Sequence, residues 1–176
     1  MRKLVLTLVA VLAVVVVTTV PASAMKWDAH DDPTLQVWAG KVPRAWGVAR
    51  AIALWNQDRV PGQPRLVPTS RPDLAQITVR LVDKPHGSFV GQAWRYRRSG
   101  GEIDHVRIDL NVPVANRAKY RPYNTQLKHD TTLHEFGHAL GLEHNHNRHS
   151  IMSATQAWWH GGRIGAVDVR HLRAKY

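Results

Sequence analysis

The sequence predicts an α+β domain: a twisted mixed sheet packed on two main helices, with a third helix at the C-terminus. Three observations predict it. Several short segments alternate apolar and polar residues with period two, and Leu74 to Asp83 does so most cleanly. Two longer segments carry apolar residues at helical spacing. The order along the chain is strand, helix, several strands, helix, loop, helix, which is not the strict alternation of a doubly wound fold.

The first 24 residues stand apart from that domain. A short basic start (Met1-Arg2-Lys3) precedes an apolar run from Leu4 to Val20, and Ala22-Ser23-Ala24 supplies a small-residue cleavage site. Residues 1–24 therefore read as a secretory signal peptide cleaved near Ala24, and residues 25–176 as the exported, extracellular domain. A retained anchor is the alternative, because a 17-residue run approaches the ~17–25 residues that span a bilayer. After cleavage no membrane association is expected.

The mature chain opens on a polar lead, MKWDAHDDP, expected to be loosely tied. LQVWAG reads as a first strand. Pro43 then opens a helix, PRAWGVARAIALWNQ, with Trp46, Ala49, Ile52, Ala53, Leu54 and Trp55 in its apolar pattern. RLVPTS is a short strand and Leu74 to Asp83 a longer one. SFVGQAWRYRR reads as an edge strand with a bulge, interrupted by Gly91, and EIDHVRIDLN as another strand. VPVANRAKYRPYN is a long loop. From about Asn124 the period becomes helical and runs to Leu140, with Leu127, Leu133, Phe136 and Leu140 facing inward; Gly141 ends it. AVDVRHLRAKY closes the chain as a short amphipathic helix.

With no cysteine, neither a disulfide nor a thiolate metal site is available. Lys and Arg number 24 against 13 Asp and Glu, a formal charge of +11; loss of Arg2 and Lys3 with the leader takes the mature part to +9. Such a surface favours anionic cell-surface polymers as partners. No nucleic-acid-binding motif accompanies the charge, so no specific nucleic acid is expected.

The chemistry concentrates between Thr131 and Ala154. His134 and His138 are four apart on the predicted helix, so they share one face, ~5–6 Å between Cβ atoms. Two imidazoles so placed can reach one Zn²⁺ ion. A third ligand is needed, and Gly141 lets the backbone turn back at positive φ so that His144 returns to the same ion. Glu135 sits beside that site as a general base toward zinc-bound water, whose pKa a zinc ion lowers to about 7. His146 reads as a solvated neighbour and His149 as part of the following turn.

His134-Glu135-Phe136-Gly137-His138-Ala139-Leu140-Gly141-Leu142-Glu143-His144 resembles the extended signature of the metzincin zinc peptidases, H-E-x-x-H-x-x-G-x-x-H. Met152, eight residues after His144, is similar to the methionine of the matrixin, or matrix-metalloproteinase, branch, which lies in a turn beneath the metal. Ala154 stands where astacin- and serralysin-type relatives carry a tyrosine, and His144 where snapalysin-like enzymes carry aspartate. The resemblance implies a zincin-like fold and a monomeric endopeptidase that acts on protein or peptide substrates. It implies one catalytic Zn²⁺ on His134, His138 and His144, with Glu135 catalytic and Met152 and Gly141 supporting. It also implies a role for Asp168 in fixing the N-terminal segment, with a plain surface charge at the start of the last helix the alternative, and for Trp158, Trp159, His160, Gly161 and Gly162 in walling a specificity pocket, with core packing the alternative for the two tryptophans. Ca²⁺ is common in such enzymes, but no compact Asp/Asn loop here supports it.

Two other readings stay open. A degenerate, non-catalytic zinc-containing module would bind anionic cell-wall or other polyanionic surfaces; the intact Glu135 speaks against it. Hydrolysis of a non-peptide amide would use the same residues.

Overall fold

The computed structural model describes residues 26–28, 34–98, 102–154 and 161–176, without the side chains of 121–123. The expected signal peptide and residues 155–160, with Trp158, Trp159 and His160, lie outside the described residues. No described helix is long and apolar enough to cross a membrane.

Five strands form one mixed sheet: β1 (Thr34–Trp38), β2 (Arg65–Pro68), β3 (Ile77–Val82), β4 (Gly91–Arg97) and β5 (Ile103–Asn111). Their order is β2-β1-β3-β5-β4; all neighbours are parallel except β4, which pairs antiparallel to β5 at the edge. Helix α1 (Val48–Gln57) makes the crossover between β1 and β2 that parallel neighbours require. Helix α3 (Asn124–Ala139) packs against α1, β4 and β5, and α4 (Ala166–Lys175) closes the chain. The core lies between sheet and helices. Ile77, Val79, Val106, Ile108 and Leu110 line it from the sheet, and Trp55, Leu133, Phe136 and Leu140 from the helices, all buried.

Four local readings need correction. The first helix starts at Val48, not Pro43: Arg44–Trp46 form a single 3-10 turn, and Gly47, at φ 68°, breaks it from α1. A side chain at Gly47 would meet the His129 ring at 2.6 Å, so close packing on α3 sets that break. The long loop contains the short helix α2 (Val112–Ala115) and a 3-10 segment, Ala118–Tyr123. Arg117 fastens it by donating to the carbonyls of Pro85 and Gly87. The register shift of β4 falls between Tyr96 and Arg97, not at Gly91.

The N-terminal lead is anchored. Trp27 is buried and its indole N–H donates to Ala139 O at 2.7 Å, while Ile103 N donates to Lys26 O. At the other end of the chain, Tyr176 Oη donates to Leu140 O at 3.0 Å, and burial pushes this phenol's pKa up. The last carbonyls of a helix have no intrahelical partner. Here Trp27 and Tyr176 supply partners for two carbonyls at the end of α3, Ala139 O and Leu140 O, next to the turn that carries the third histidine.

Candidate metal centre

Helix α3 presents His134 and His138 from consecutive turns. Gly141 adopts φ 87° and its N–H donates to His138 O, while Leu142 N–H donates to Gly137 O; together these stop the helix and reverse the chain. His144 returns on the reversed segment. Its Nε2 stands 3.0 Å from His134 Nε2 and 3.1 Å from His138 Nε2. The geometry suits a cation: four ligands at ~2.0–2.1 Å in a tetrahedron stand ~3.3 Å apart.

The other ring nitrogens decide the chemistry of those contacts. His134 Nδ1 faces Ile151 O at 2.6 Å and His138 Nδ1 faces Leu142 O at 2.8 Å. A carbonyl only accepts, so both rings carry their proton on Nδ1, leaving bare Nε2 lone pairs turned toward His144. Such carbonyl partners orient imidazoles for a metal. Burial first, and then the neighbouring His134, lowers the His138 pKa to about 3, so this ring is held neutral, as a ligand must be. Among the described residues, His134, His138 and His144 form the one group of three or more suited to a metal; His146 is exposed and outside it.

Glu135 is 5% exposed. Its carboxyl accepts from the Ala93 N–H of the edge strand, and burial raises its pKa to about 8 against that bond. Gly91 makes the approach of β4 possible, since a Cβ there would sit 2.5 Å from Thr131 Cγ2 and 2.8 Å from Glu135 Oε1. Two residues beyond Ala93, Arg95 pairs with Glu143 at 2.6 Å. Thus β4 touches both the carboxylate and the residue preceding His144.

Beneath the histidines the chain folds back on itself. Met152 is fully buried, and a Cβ on Gly137 would lie 2.3 Å from its sulfur. Gly137, between His134 and His138, therefore lets the methionine pack flush against the helix. Asn145 N–H donates to Met152 O and Ala154 N–H to Asn145 O, closing the segment that follows His144. The buried Asp168 carboxylate accepts from Ser150 Oγ, from Ile151 N at 2.9 Å and from Gly165 N at 2.9 Å. It holds the methionine turn, whereas the sequence reading assigned it to the N-terminal segment. Because Ile151 O bears on His134 Nδ1, Asp168 reaches the metal site through one residue, Ile151.

The matrixin family model matches residues 65–176, well over half the chain. The chain belongs to the matrixin family. No curated protein matches this matrixin. The match takes in β2 to β5, all of α3 and the methionine turn, so membership supports a zinc metallopeptidase and agrees with the three-histidine group.

Motif spacing pointed to His134, Glu135, His138, Gly141, His144 and Met152 before the fold was known. It was silent on Gly91, Gly137, Arg95 and Ser150. The only local signals for these were glycines inside otherwise regular segments, which often mark close backbone approach.

Proposed function

We propose that this matrixin is a secreted zinc-dependent endopeptidase. The observation that carries the reading is the convergence of three imidazole nitrogens, two of them fixed as bare lone pairs by backbone carbonyls, beside a buried carboxylate. His134, His138 and His144 would hold the zinc. When bound, zinc supplies Lewis acidity toward a peptide carbonyl and toward water.

Glu135 takes a proton from the attacking water and returns it to the leaving amine. Its raised pKa places proton uptake and release near neutral pH, the condition under which one group serves as base and then acid. The Ala93 N–H holds the carboxyl in place while that proton moves. The edge of β4 not paired with β5 offers backbone groups to an extended substrate, which would add to the sheet as a further strand. Glu135 lies against that edge, so a strand laid there brings a peptide bond to the carboxylate.

A zinc chelator should abolish cleavage of a peptide library, and added zinc should restore it. Undiminished cleavage in chelator would contradict the proposal. Zinc binding with no cleavage of any peptide would favour the non-catalytic module.

A further inference from the structure

Side chains of β4 alternate between two faces. Ala93 packs on the core and Arg95 meets Glu143 on the helix side; Trp94 and Tyr96 point to the other. The packing of α1 and α3 is on the core side, so no described helix covers the second face. Trp94 is 41% and Tyr96 45% exposed, two of the four large hydrophobic residues so exposed among the described ones.

The two rings are held in place. Trp94 Nε1 donates to Asp109 Oδ2 at 3.2 Å, and Arg107 Nη1 donates to Tyr96 Oη at 2.9 Å. The Arg107 guanidinium lies 5.4 Å from the Trp94 ring centre and 6.0 Å from that of Tyr96. Arg80, half exposed, donates to the buried Asp109 at 2.6 Å. Beyond Tyr96 the strand continues into exposed Arg97 and Arg98, with Asp104 opposite Arg98. Arg80, Arg107 and Arg98 thus stand near the aromatic pair against two carboxylates, Asp109 and Asp104, on a chain whose overall charge is +11.

We propose that this face, built on Trp94, Tyr96, Arg107 and Arg80, binds an acidic polysaccharide. The polar handle of each ring is engaged within the protein, so what remains is a ring face, which suits the flat C–H face of a sugar. The rings are ~7 Å apart along the strand, two residues of a pleat. Sparse arginines suit carboxylates spaced by uncharged sugars, and Arg80, which engages Asp109 through Nε, can offer its two terminal nitrogens to one. Single-stranded nucleic acid fits less well: such binding relies on a continuous positive groove, whereas here the arginines are few and Asp109 partly neutralises Arg80 and Arg107. The peptidase would be held on an anionic matrix with its metal cleft on the opposite side of the sheet.

The test uses the zinc-loaded mature protein and alginate, a uronic-acid polymer, by calorimetry at low and moderate salt. Binding should weaken with salt, and neutral dextran should not bind. Trp94→Ala with Tyr96→Ala leaves net charge unchanged and should weaken alginate binding about tenfold, roughly 1.4 kcal/mol. Arg107→Gln alone should also weaken it, which keeps the test decisive if the double variant fails to fold. Arg170→Ala with Arg173→Ala removes two exposed charges from another element, α4, and should change binding less than about twofold, within the range of exposed single charges. The proposal is overturned if alginate does not bind, if the ring variant binds like the parent, if the α4 variant loses as much, or if a charge-matched oligothymidylate binds more tightly. Peptide cleavage is read separately and should be unchanged in Arg107→Gln and in the α4 variant.

Discussion

Asp168 shows how a residue far in sequence from a ligand can set its geometry. Its two oxygens accept from Ser150, Ile151 and Gly165 with no exposure to solvent. Asp168→Ala strands the buried Ile151 N–H, at about 1–3 kcal/mol, and frees the part-buried Gly165 N–H at a smaller cost. The Ile151 carbonyl that orients His134 then loses its anchor, and zinc affinity should fall about 10–100-fold, the usual effect of removing an outer partner of a ligand. Asp168→Asn keeps the volume and one acceptor and should fall between. Competition with a chelator reads the affinity and a denaturant melt reads the stability; a stability loss with unchanged zinc affinity would break the proposed link to His134.

At the scale of elements, the anchored ends make α3 the hub of the molecule. Trp27→Phe keeps the ring in its pocket but removes the N–H that satisfies Ala139 O, and should cost about 1–3 kcal/mol in a melt. No measurable change would mean that the lead is as loosely held as its polar sequence suggests. The elements legible in sequence were those whose periodicity and burial agree. β3 and β5 alternate because one face is in the core, and α3 has a clean inward stripe in Leu127, Leu133, Phe136 and Leu140. The start of α1 was misplaced because a genuine proline signal at Pro43 is overridden by packing at Gly47. Residues 112–123 looked like open loop because their turns are stabilised by distant carbonyls rather than by an apolar period. The metal ligands were legible because helix geometry and one glycine turn place them locally. The contacts of Gly91, Gly137 and Arg95 arise between segments far apart in the chain, which no local pattern reports.

At the scale of the molecule, the site couples acidity to stability. Burial and then the neighbouring His134 hold the folded-state pKa of His138 at about 3, below the ~6.5 of a free imidazole. Between those values the unfolded chain binds a proton that the folded chain refuses, so stability falls as pH falls from ~6.5 toward 3. Protons also compete with zinc for the same nitrogens, so metal loss acts in the same direction. Glu135, raised by burial to about 8, takes up a proton on folding over the same range and opposes this trend, so the effect is read in Glu135→Gln with chelator: a thermal melt should give a lower midpoint at pH 5 than at pH 7, and equal midpoints there would contradict a buried, neutral His138. The whole account depends on the division of labour between three imidazoles and one carboxylate. The most direct measurement is zinc stoichiometry and peptide cleavage, side by side, in the parent and in Glu135→Gln. The account predicts one zinc per chain in both, with cleavage reduced about 10²–10⁴-fold in the variant. Cleavage at the parent rate by a zinc-loaded Glu135→Gln protein would contradict it.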